Sequence, residues 1–223
     1  MPRLASVFDQ LTKEELEGLA MHKGCNFHKK GQVLFYEGNT PTGLYCMNRG
    51  KVKLYKTDEF GKVQIVRLAK EGDVLGYRAL LTEEPYSGTA EVLEDASICF
   101  IPRDSFFRLL KDNPAFSLRV IQLMGHELGK AEERELSLSR KPVRERMAET
   151  ILMLEEFYGF EEDGKTLRGA MTREDLANIV GTATETVIRL LSEMKAEEII
   201  DLDKKKIKIL NRGALVKTAN VFD

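Results

Sequence analysis

Between Gly31 and Ile101, hydrophobic residues occur in short runs that are separated by glycines. In K-V-K-L-Y-K, apolar and basic residues alternate with a period of two, which is typical of a half-buried strand. Many short strands with turn signals between them predict a sandwich, barrel or roll, interrupted by one short helix at Tyr77–Leu81. The predicted strands are Val33–Tyr36, Leu44–Met47, Val52–Tyr55, Val63–Leu68 and Ser97–Ile101.

Helical patterns flank this strand-rich segment. Leucines on one side of an acidic stretch predict a short helix at Ser6–Met21. Asn113 as a cap and Pro114 at the first helical position open a long helix. Pro142 marks the next boundary, after which the pattern predicts a helix from Val143 to about Tyr158.

The long helix carries two apolar stripes. One follows a heptad rhythm and consists of Ile121, Met124, Leu128, Ala131 and Leu138. The other, on a neighbouring face, consists of Phe116, Val120 and Leu123. A helix with two such stripes packs on its own domain with one and on a partner with the other. We therefore predict a homodimer, with one broad core face inside a monomer as the alternative.

Two capping patterns start two short helices in the last third of the chain. The sequence T-R-E-D beginning at Thr172 resembles a capping box, and the helix that it starts, Glu174–Val180, stops at Gly181. A second such pattern begins at Thr182 and starts a helix that extends to about Ala196. Two short helices joined by a tight glycine turn predict a helix-turn-helix.

The N-terminal end of the second helix carries residues that suit base reading. A glutamate accepts a hydrogen bond from cytosine N4, and an arginine donates two to guanine O6 and N7. This end of a recognition helix enters the major groove. We therefore assign base reading to Thr184, Glu185 and Arg189. The alternative is a plain packing unit in which Glu185 only serves as the capping acid for Thr182 or pairs with Arg189 in water.

A lysine-tipped β-hairpin is predicted between Ile199 and Leu210. From Ile199 to Arg212 there are five basic residues against two acidic ones, although the whole chain has a net charge of −2. A local positive surface of this kind suits DNA phosphates, although a lysine-tipped hairpin is often only a solvated turn. The predicted phosphate contacts in and beside this region are Thr182, Thr186, Lys204, Lys205 and Lys206.

The segment T-R-E-D-L-A-N-I-V-G-T-A-T-E-T-V-I-R-L-L-S-E-M resembles the helix-turn-helix of the cyclic AMP receptor protein/FNR (Crp/Fnr) family of bacterial transcription regulators. The resemblance extends through G-D-V-L-G-Y-R-A-L-L-T-E-E-P-Y-S-G-T-A and V-R-E-R-M-A-E-T-I-L, and so covers nearly the whole chain. It implies an α+β fold with a cyclic-nucleotide-binding-type β-roll (1–113), a dimerisation helix (114–140) and a winged helix-turn-helix (141–223).

The resemblance also implies roles for individual residues and a protein partner. Glu185 and Arg189 match the family's base-reading pair, and Arg173 matches a phosphate-contacting arginine. Thr184 departs from an arginine that reads a further guanine in the cyclic AMP receptor protein, so the half-site cannot be copied from that protein. RNA polymerase is the protein partner that the resemblance implies.

The effector pocket implied by the resemblance departs further from the family pattern. Members that bind cyclic AMP have Glu at the position of Tyr77 and Arg at that of Tyr86. A buried phosphate without a cation loses its strongest charge-assisted bonds, so cyclic AMP is not expected. An unidentified, less charged effector is favoured over a pocket filled by the tyrosines. The pocket residues are Gly76, Tyr77, Arg78, Tyr86, Ser87, Gly88 and Ala131.

The composition, 43% hydrophobic and 31% charged, is typical of a soluble globular protein. No apolar run approaches the ~18 residues of a membrane helix, and the charged N-terminus is unlike a signal peptide, so a cytoplasmic location is expected. Cys25, Cys46 and Cys99 are odd in number and far apart, which predicts no disulfide framework and a reducing compartment. Three scattered cysteines also cannot supply the four ligands of an iron–sulfur cluster.

Other functions are less favoured. A haem sensor on the same scaffold would need axial ligands from His22, His28, His126 or a methionine, and isolated histidines are more often plain polar groups. A cupin-type enzyme needs clustered histidines, and Gly31–Ile101 contains none, so neither an enzyme nor a metal site is expected. The helix-turn-helix disfavours a nucleotide-binding module that acts on protein partners.

Overall fold

The computed structural model describes Phe8, Leu11 and residues 24–221. The chain divides into two compact units, Met1–Lys130 and Ala131–Asp223. Apart from Phe8 and Leu11, the helix predicted at Ser6–Met21 lies outside the described residues. Within the described part of the chain, no helix is both long and apolar enough to cross a membrane.

The first unit is built on a six-stranded sheet in which every described strand pair is antiparallel. The main strand order is β1-β6-β3-β4, with β2 beside β6 and β5 beside β3. The strands are β1 Gly24–His28, β2 Val33–Phe35, β3 Gly43–Thr57, β4 Val63–Ala69, β5 Val74–Leu75 and β6 Thr89–Pro102.

Two of the predicted strands, Leu44–Met47 and Val52–Tyr55, are parts of the single strand β3. Gly50 lies between them and does not end the strand. It has a φ of 94° in a stretch where the register with β6 shifts. A Cβ atom there would lie 2.6 Å from the Cα of Ala96, so the bulge requires glycine. The turn signal therefore marks a bulge.

Three helices accompany the sheet: α1 Tyr77–Thr82, α2 Arg103–Asp112 and α3 Pro114–Arg140. The cap predicted for α3 is confirmed, because the Phe116 N–H donates to Asn113 Oδ1 at 2.9 Å. Phe116 and Val120 are buried in a core cluster that includes α2, as predicted for the second stripe. The helix continues past the unit boundary and ends in the second unit.

The second unit contains a helix-turn-helix and a two-stranded hairpin. Its elements are α4 Val143–Tyr158, α5 Arg173–Val180, α6 Thr184–Ala196, β7 Ile200–Asp203, β8 Lys206–Ile209 and α7 Arg212–Ala219. The cap at Thr172 is confirmed, since its hydroxyl accepts from the Asp175 N–H at 2.9 Å. The cap predicted at Thr182 is wrong, because Ala183 is the N-cap of α6 and makes no side-chain cap.

The prediction that the cysteines form no disulfide is also wrong, because Cys25 and Cys99 form one. They are direct partners in the register of β1 and β6, with Cα atoms 3.8 Å apart. Cys46 is the register partner of Cys99 on the other side, in β3. The three cysteines therefore form one row across three neighbouring strands. Spacing along the chain could not show this, because 74 residues separate Cys25 from Cys99.

Candidate nucleic-acid interface

The turn between α5 and α6 is fixed by backbone hydrogen bonds. The carbonyl of Ala177 accepts from the N–H groups of Gly181 (2.8 Å) and Thr182 (3.1 Å). Gly181 has a φ of 72°, a left-handed conformation that favours glycine at a helix C-terminus. Because the Thr182 N–H closes α5, Thr182 belongs to the turn and does not begin α6.

The predicted base-reading residues lie together on the first two turns of α6. Glu185 and Arg189 are exposed, and Thr184 is half-buried at the first helical position. Arg189 Nη1 lies 2.6 Å from Glu193 Oε1, so Glu193 and not Glu185 holds the guanidinium. The alternative pairing of Glu185 with Arg189 is therefore not formed. The Glu185 carboxylate lies at the positive N-terminal end of the helix.

Two arginines donate hydrogen bonds to carbonyls at the C-terminus of α5. Neither of them was identified from the sequence. Arg146, on α4, donates through Nε to the carbonyl of Val180 at 3.0 Å. Arg134, in the part of α3 that belongs to this unit, donates to the carbonyl of Ile179 at 3.2 Å, and burial lowers its pKa. Cations at a helix C-terminus are favourable. Because both contacts join residues far apart in the chain, no local sequence signal marks them.

Arg173 connects the start of α5 to the tip of the hairpin. Its Nη2 donates to the carbonyl of Lys204 at 2.9 Å, which brings two predicted phosphate-contacting residues together. Its Nη1 is buried and has no hydrogen-bond partner among the described residues. Burial lowers the pKa of this guanidinium. An unsatisfied buried donor is uncommon in proteins, because most buried polar groups have a hydrogen-bond partner.

Acidic residues from the loop after α4 neutralise part of the hairpin. Lys206 Nζ lies 2.5 Å from Glu161 Oε1, and this hydrogen bond raises the pKa of Lys206. Lys208 lies 3.3 Å from Asp163, whose pKa is lowered chiefly by backbone N–H groups of Thr166 and Lys165. The count of charges between Ile199 and Arg212 does not include these acids, because they precede the hairpin by some forty residues. Lys204 and Lys205 are exposed at the turn.

Thr182 and Thr186, the other two predicted phosphate contacts, are half-buried on either side of Thr184. Both therefore flank the N-terminus of α6. The structure thus brings the predicted base-reading and phosphate-contacting residues into one unit, on α5, α6 and the hairpin.

In the first unit, a tyrosine fills the predicted effector pocket. The Tyr86 ring is buried and stacks on Phe35 with ring centroids 3.9 Å apart. Its hydroxyl donates to the carbonyl of Gly43 at 3.3 Å, and burial raises its pKa. A Cβ atom on Gly76 would lie 3.2 Å from this ring. The ring therefore occupies the space beside Gly76.

Tyr77 is buried beside a cation that is already paired. The Arg67 guanidinium lies 5.9 Å from the centre of the Tyr77 ring. Its Nε lies 3.1 Å from Glu127 Oε2 on α3, which ties β4 to the long helix. Burial raises the pKa of Tyr77. The charge of Arg67 is thus already paired within the protein.

The other predicted pocket residues differ in their surroundings. Arg78 is exposed and pairs with Glu84 at 3.4 Å, and Ser87 is half-buried. Gly88 packs closely, since a Cβ atom there would lie 2.8 Å from the carbonyl oxygen of Tyr55. Ala131 is exposed and begins the second unit. Within the first unit, the Arg78 cation is thus already paired and is not held for a cyclic phosphate.

Among the residues that the structure describes, no group of three or more His, Cys, Asp or Glu side chains is arranged to hold a metal ion. A roll followed by a long helix, a helix-turn-helix and a basic hairpin defines a DNA-binding transcription regulator with a sensor domain. Residues 26–113 match the family model of the cyclic nucleotide-binding domain. Residues 145–218 match that of the Crp-like helix-turn-helix domain.

Relatives and solved structures agree with these matches. The fumarate and nitrate reduction regulatory protein of Vibrio cholerae is 33% identical over 196 residues, which cover 86% of this chain and 77% of that protein. The anaerobic regulatory protein of Haemophilus influenzae is 32% identical over 192 residues, covering 85% and 74%. The chain therefore belongs to the Crp/Fnr family of transcription regulators, and it is not an enzyme.

Two solved structures show the same fold. A Crp/Fnr-family transcriptional regulator from Thermus thermophilus has a TM-score of 0.76 at 27% identity, covering 89% of this chain and 99% of that one. FixK2 from Bradyrhizobium japonicum has a TM-score of 0.79 at 23% identity, covering 90% and 99%.

Proposed function

We propose that two copies of this chain associate through α3 and bind a near-palindromic DNA site. The observation that carries the dimer is the exposure of the heptad stripe. Ile121 is 63% exposed and Leu128 is 61% exposed, whereas Phe116 and Val120 of the neighbouring stripe are buried in the chain's own core. Exposed large apolar residues in a row indicate an interface. The proposed seam is Ile121, Met124, Leu128, Ala131 and Leu138.

Within each half-site, Glu185 and Arg189 are proposed to read base edges, with Thr184 beside them. Their exposure on the first turns of α6 supports this role. Arg173, which donates to the carbonyl of Lys204, and the exposed Lys204 and Lys205 are proposed to contact phosphates. Lys206 contributes less, because Glu161 already holds it.

Two threonines and a protein partner complete the proposal. Thr182 and Thr186 flank the N-terminus of α6 and are proposed to contact phosphates. RNA polymerase is the proposed protein partner, because the chain belongs to a family of transcription regulators.

The sensor unit is proposed to respond to something other than cyclic AMP. Tyr86 supports this, because its ring fills the space beside Gly76 and no charge on it could neutralise a phosphate. The Cys25–Cys99 disulfide favours a redox input as the second candidate. Haem remains the weaker alternative: His126 is exposed, His28 lies on an edge strand, and His22 lies outside the described residues.

The test combines site selection with sedimentation. Selection from random duplexes with the full chain should yield two inverted half-sites whose centres are about 34 Å apart, one helical turn. Sedimentation should show two chains per duplex. A monomer that binds a single half-site at full affinity would refute the dimer. Calorimetry with cyclic AMP and cyclic GMP should show no binding, and micromolar binding that tightens DNA affinity would overturn the sensor proposal.

A further inference from the structure

The middle cysteine of the row, Cys99, lies on a strand that is followed by the helices of the first unit. Cys99 lies near the end of β6, and α2 begins at Arg103, directly after that strand. Phe106 and Leu109 of α2 pack with Phe116 and Val120 of α3 in one buried cluster. Cys46, beside Cys99 in the row, packs against the same cluster. The disulfide therefore adjoins the core that supports the start of α3.

Backbone geometry explains why Cys99 bonds to Cys25 and not to Cys46. The Met47 N–H donates to the carbonyl of Asp73, so Met47 turns its backbone groups away from β6. The backbone N–H and C=O groups of neighbouring residues in a strand point in alternate directions. Those of Cys46 therefore point toward Cys99. Such hydrogen-bonded pairs have Cα atoms about 5.5 Å apart, wider than non-hydrogen-bonded pairs. The Cα atoms of Cys25 and Cys99 lie only 3.8 Å apart, the closer spacing of a non-hydrogen-bonded pair. Cys25 is therefore the nearer partner for a disulfide with Cys99.

The two sulfur-bearing residues differ in accessibility. Cys25 lies on β1, at the edge of the main strand order, and is exposed. Cys99 is only 3% exposed. Because exchange proceeds by attack of a thiolate on an accessible sulfur, an external thiol reaches Cys25 first and Cys99 is the leaving group.

We infer that the Cys25–Cys99 disulfide is a reversible thiol-exchange site that takes low-molecular-weight thiols and disulfides, and that its oxidation state sets DNA affinity. The second part rests on the DNA-binding function proposed above. In the oxidised form, β1 is fastened to β6 and the support of α3 is more ordered. Ordering the dimerisation helix in advance favours DNA binding, so the reduced form binds more weakly.

The exchange balances in two steps. A thiolate RS⁻ attacks Cys25 Sγ, an RS–Cys25 bond forms, the Cys25–Cys99 bond breaks, and Cys99 Sγ leaves with the electron pair and takes a proton. A second RS⁻ attacks the sulfur of the bound thiol, giving RSSR and the Cys25 thiolate. Two thiols thus supply the two electrons, and a small disulfide such as RSSR reverses both steps.

The experiment equilibrates the full chain in mixtures of reduced and oxidised glutathione, followed by acid quenching, alkylation and peptide mass mapping. We expect Cys25–Cys99 to exchange in the folded protein, with glutathione found on Cys25. Cys99→Ser should accumulate glutathione on Cys25, because the resolving thiol is absent. A disulfide that reacts only after unfolding, or glutathione found on Cys99 instead, would overturn the site.

DNA affinity is measured on the selected duplex in both states. Reduction should weaken binding by about fivefold or more. Cys46→Ser, the matched control from the same row, should keep this difference, whereas Cys25→Ser should bind weakly in both states. Equal or tighter binding after reduction would overturn the coupling. No duplex bound in either state would instead contradict the proposed DNA-binding function, while the mass mapping still decides the exchange site.

Discussion

Lys206 and its two neighbours at the hairpin tip differ in what surrounds them. Lys206 lies 2.5 Å from Glu161, whereas Lys204 and Lys205 are exposed. A phosphate that approached Lys206 would have to displace a carboxylate, so little net charge is neutralised there. The sequence alone treats the three lysines alike, because Glu161 is remote in the chain.

The first prediction therefore separates these lysines. Replacing Lys204 and Lys205 together by Gln removes four lysines from a duplex that carries two chains. The dependence of log affinity on log salt should therefore flatten by about 3.6 units, roughly 0.9 for each phosphate that is no longer neutralised. Base preference should not change. Fluorescence anisotropy across a salt series measures the slope. Lys206→Gln is the matched control, and a larger change from it than from the pair would contradict the assignment.

Arg189 is predicted to carry sequence preference. Arg189→Ala should cost roughly 1–3 kcal/mol in each half-site of the selected duplex and relax preference at one guanine in each, because alanine cannot donate the two hydrogen bonds to that base. Glu193→Gln is the control, since it releases the guanidinium from its 2.6 Å ion pair without removing it. Binding of each variant to a library of single-base variants of the site measures the affinity and the base preference. An Arg189→Ala variant that keeps the full preference would exclude this role.

At the scale of elements, helix starts could be predicted because their chemistry is local. Asn113 and Thr172 each accept a hydrogen bond from an N–H group three residues further along the chain. Asn211 does the same for α7, accepting from the Ala214 N–H at 2.9 Å. An asparagine at this position is a local signal that predicts the start of α7. The bulge at Gly50 could not be predicted, because it depends on the approach of Ala96 from another strand.

The same reason limits what sequence shows of the site. The proposed base-reading residues fall within one short stretch, so their shared face follows from helical spacing. The braces from Arg134 and Arg146, the Arg173–Lys204 contact and the cysteine row all join remote segments. Only the folded chain reveals them.

The turn of the helix-turn-helix yields the third prediction. Gly181→Ala should destabilise the second unit by about 1–2 kcal/mol, because Gly181 has a left-handed φ of 72°. Gly213→Ala is the control in the same unit, since a Cβ atom there meets its nearest atom at an ordinary 3.6 Å. Thermal unfolding measures both. Equal losses from the two substitutions would show that the turn conformation is not the cause.

At the scale of the whole molecule, α3 is predicted to join two chains. Replacing Ile121 and Leu128 by Glu should yield monomers, because charges would be buried in the seam. Leu136→Glu is the control, since Leu136 is 55% exposed on the same helix and lies outside the heptad stripe. Sedimentation velocity distinguishes the two cases. Dimers that survive the double substitution would place the interface elsewhere.

The stacked ring of Tyr86 fills the space beside Gly76 with a side chain of the protein itself. Tyr86→Ala would leave an aromatic-sized void between Phe35, Gly43 and Gly76, at a cost of about 3–5 kcal/mol. A phenol supplied in solution has the shape and the hydroxyl to refill it. We expect p-cresol to raise the melting temperature of Tyr86→Ala and to leave the parent chain unchanged. One substitution would thus make the stability of the first unit depend on an added small molecule.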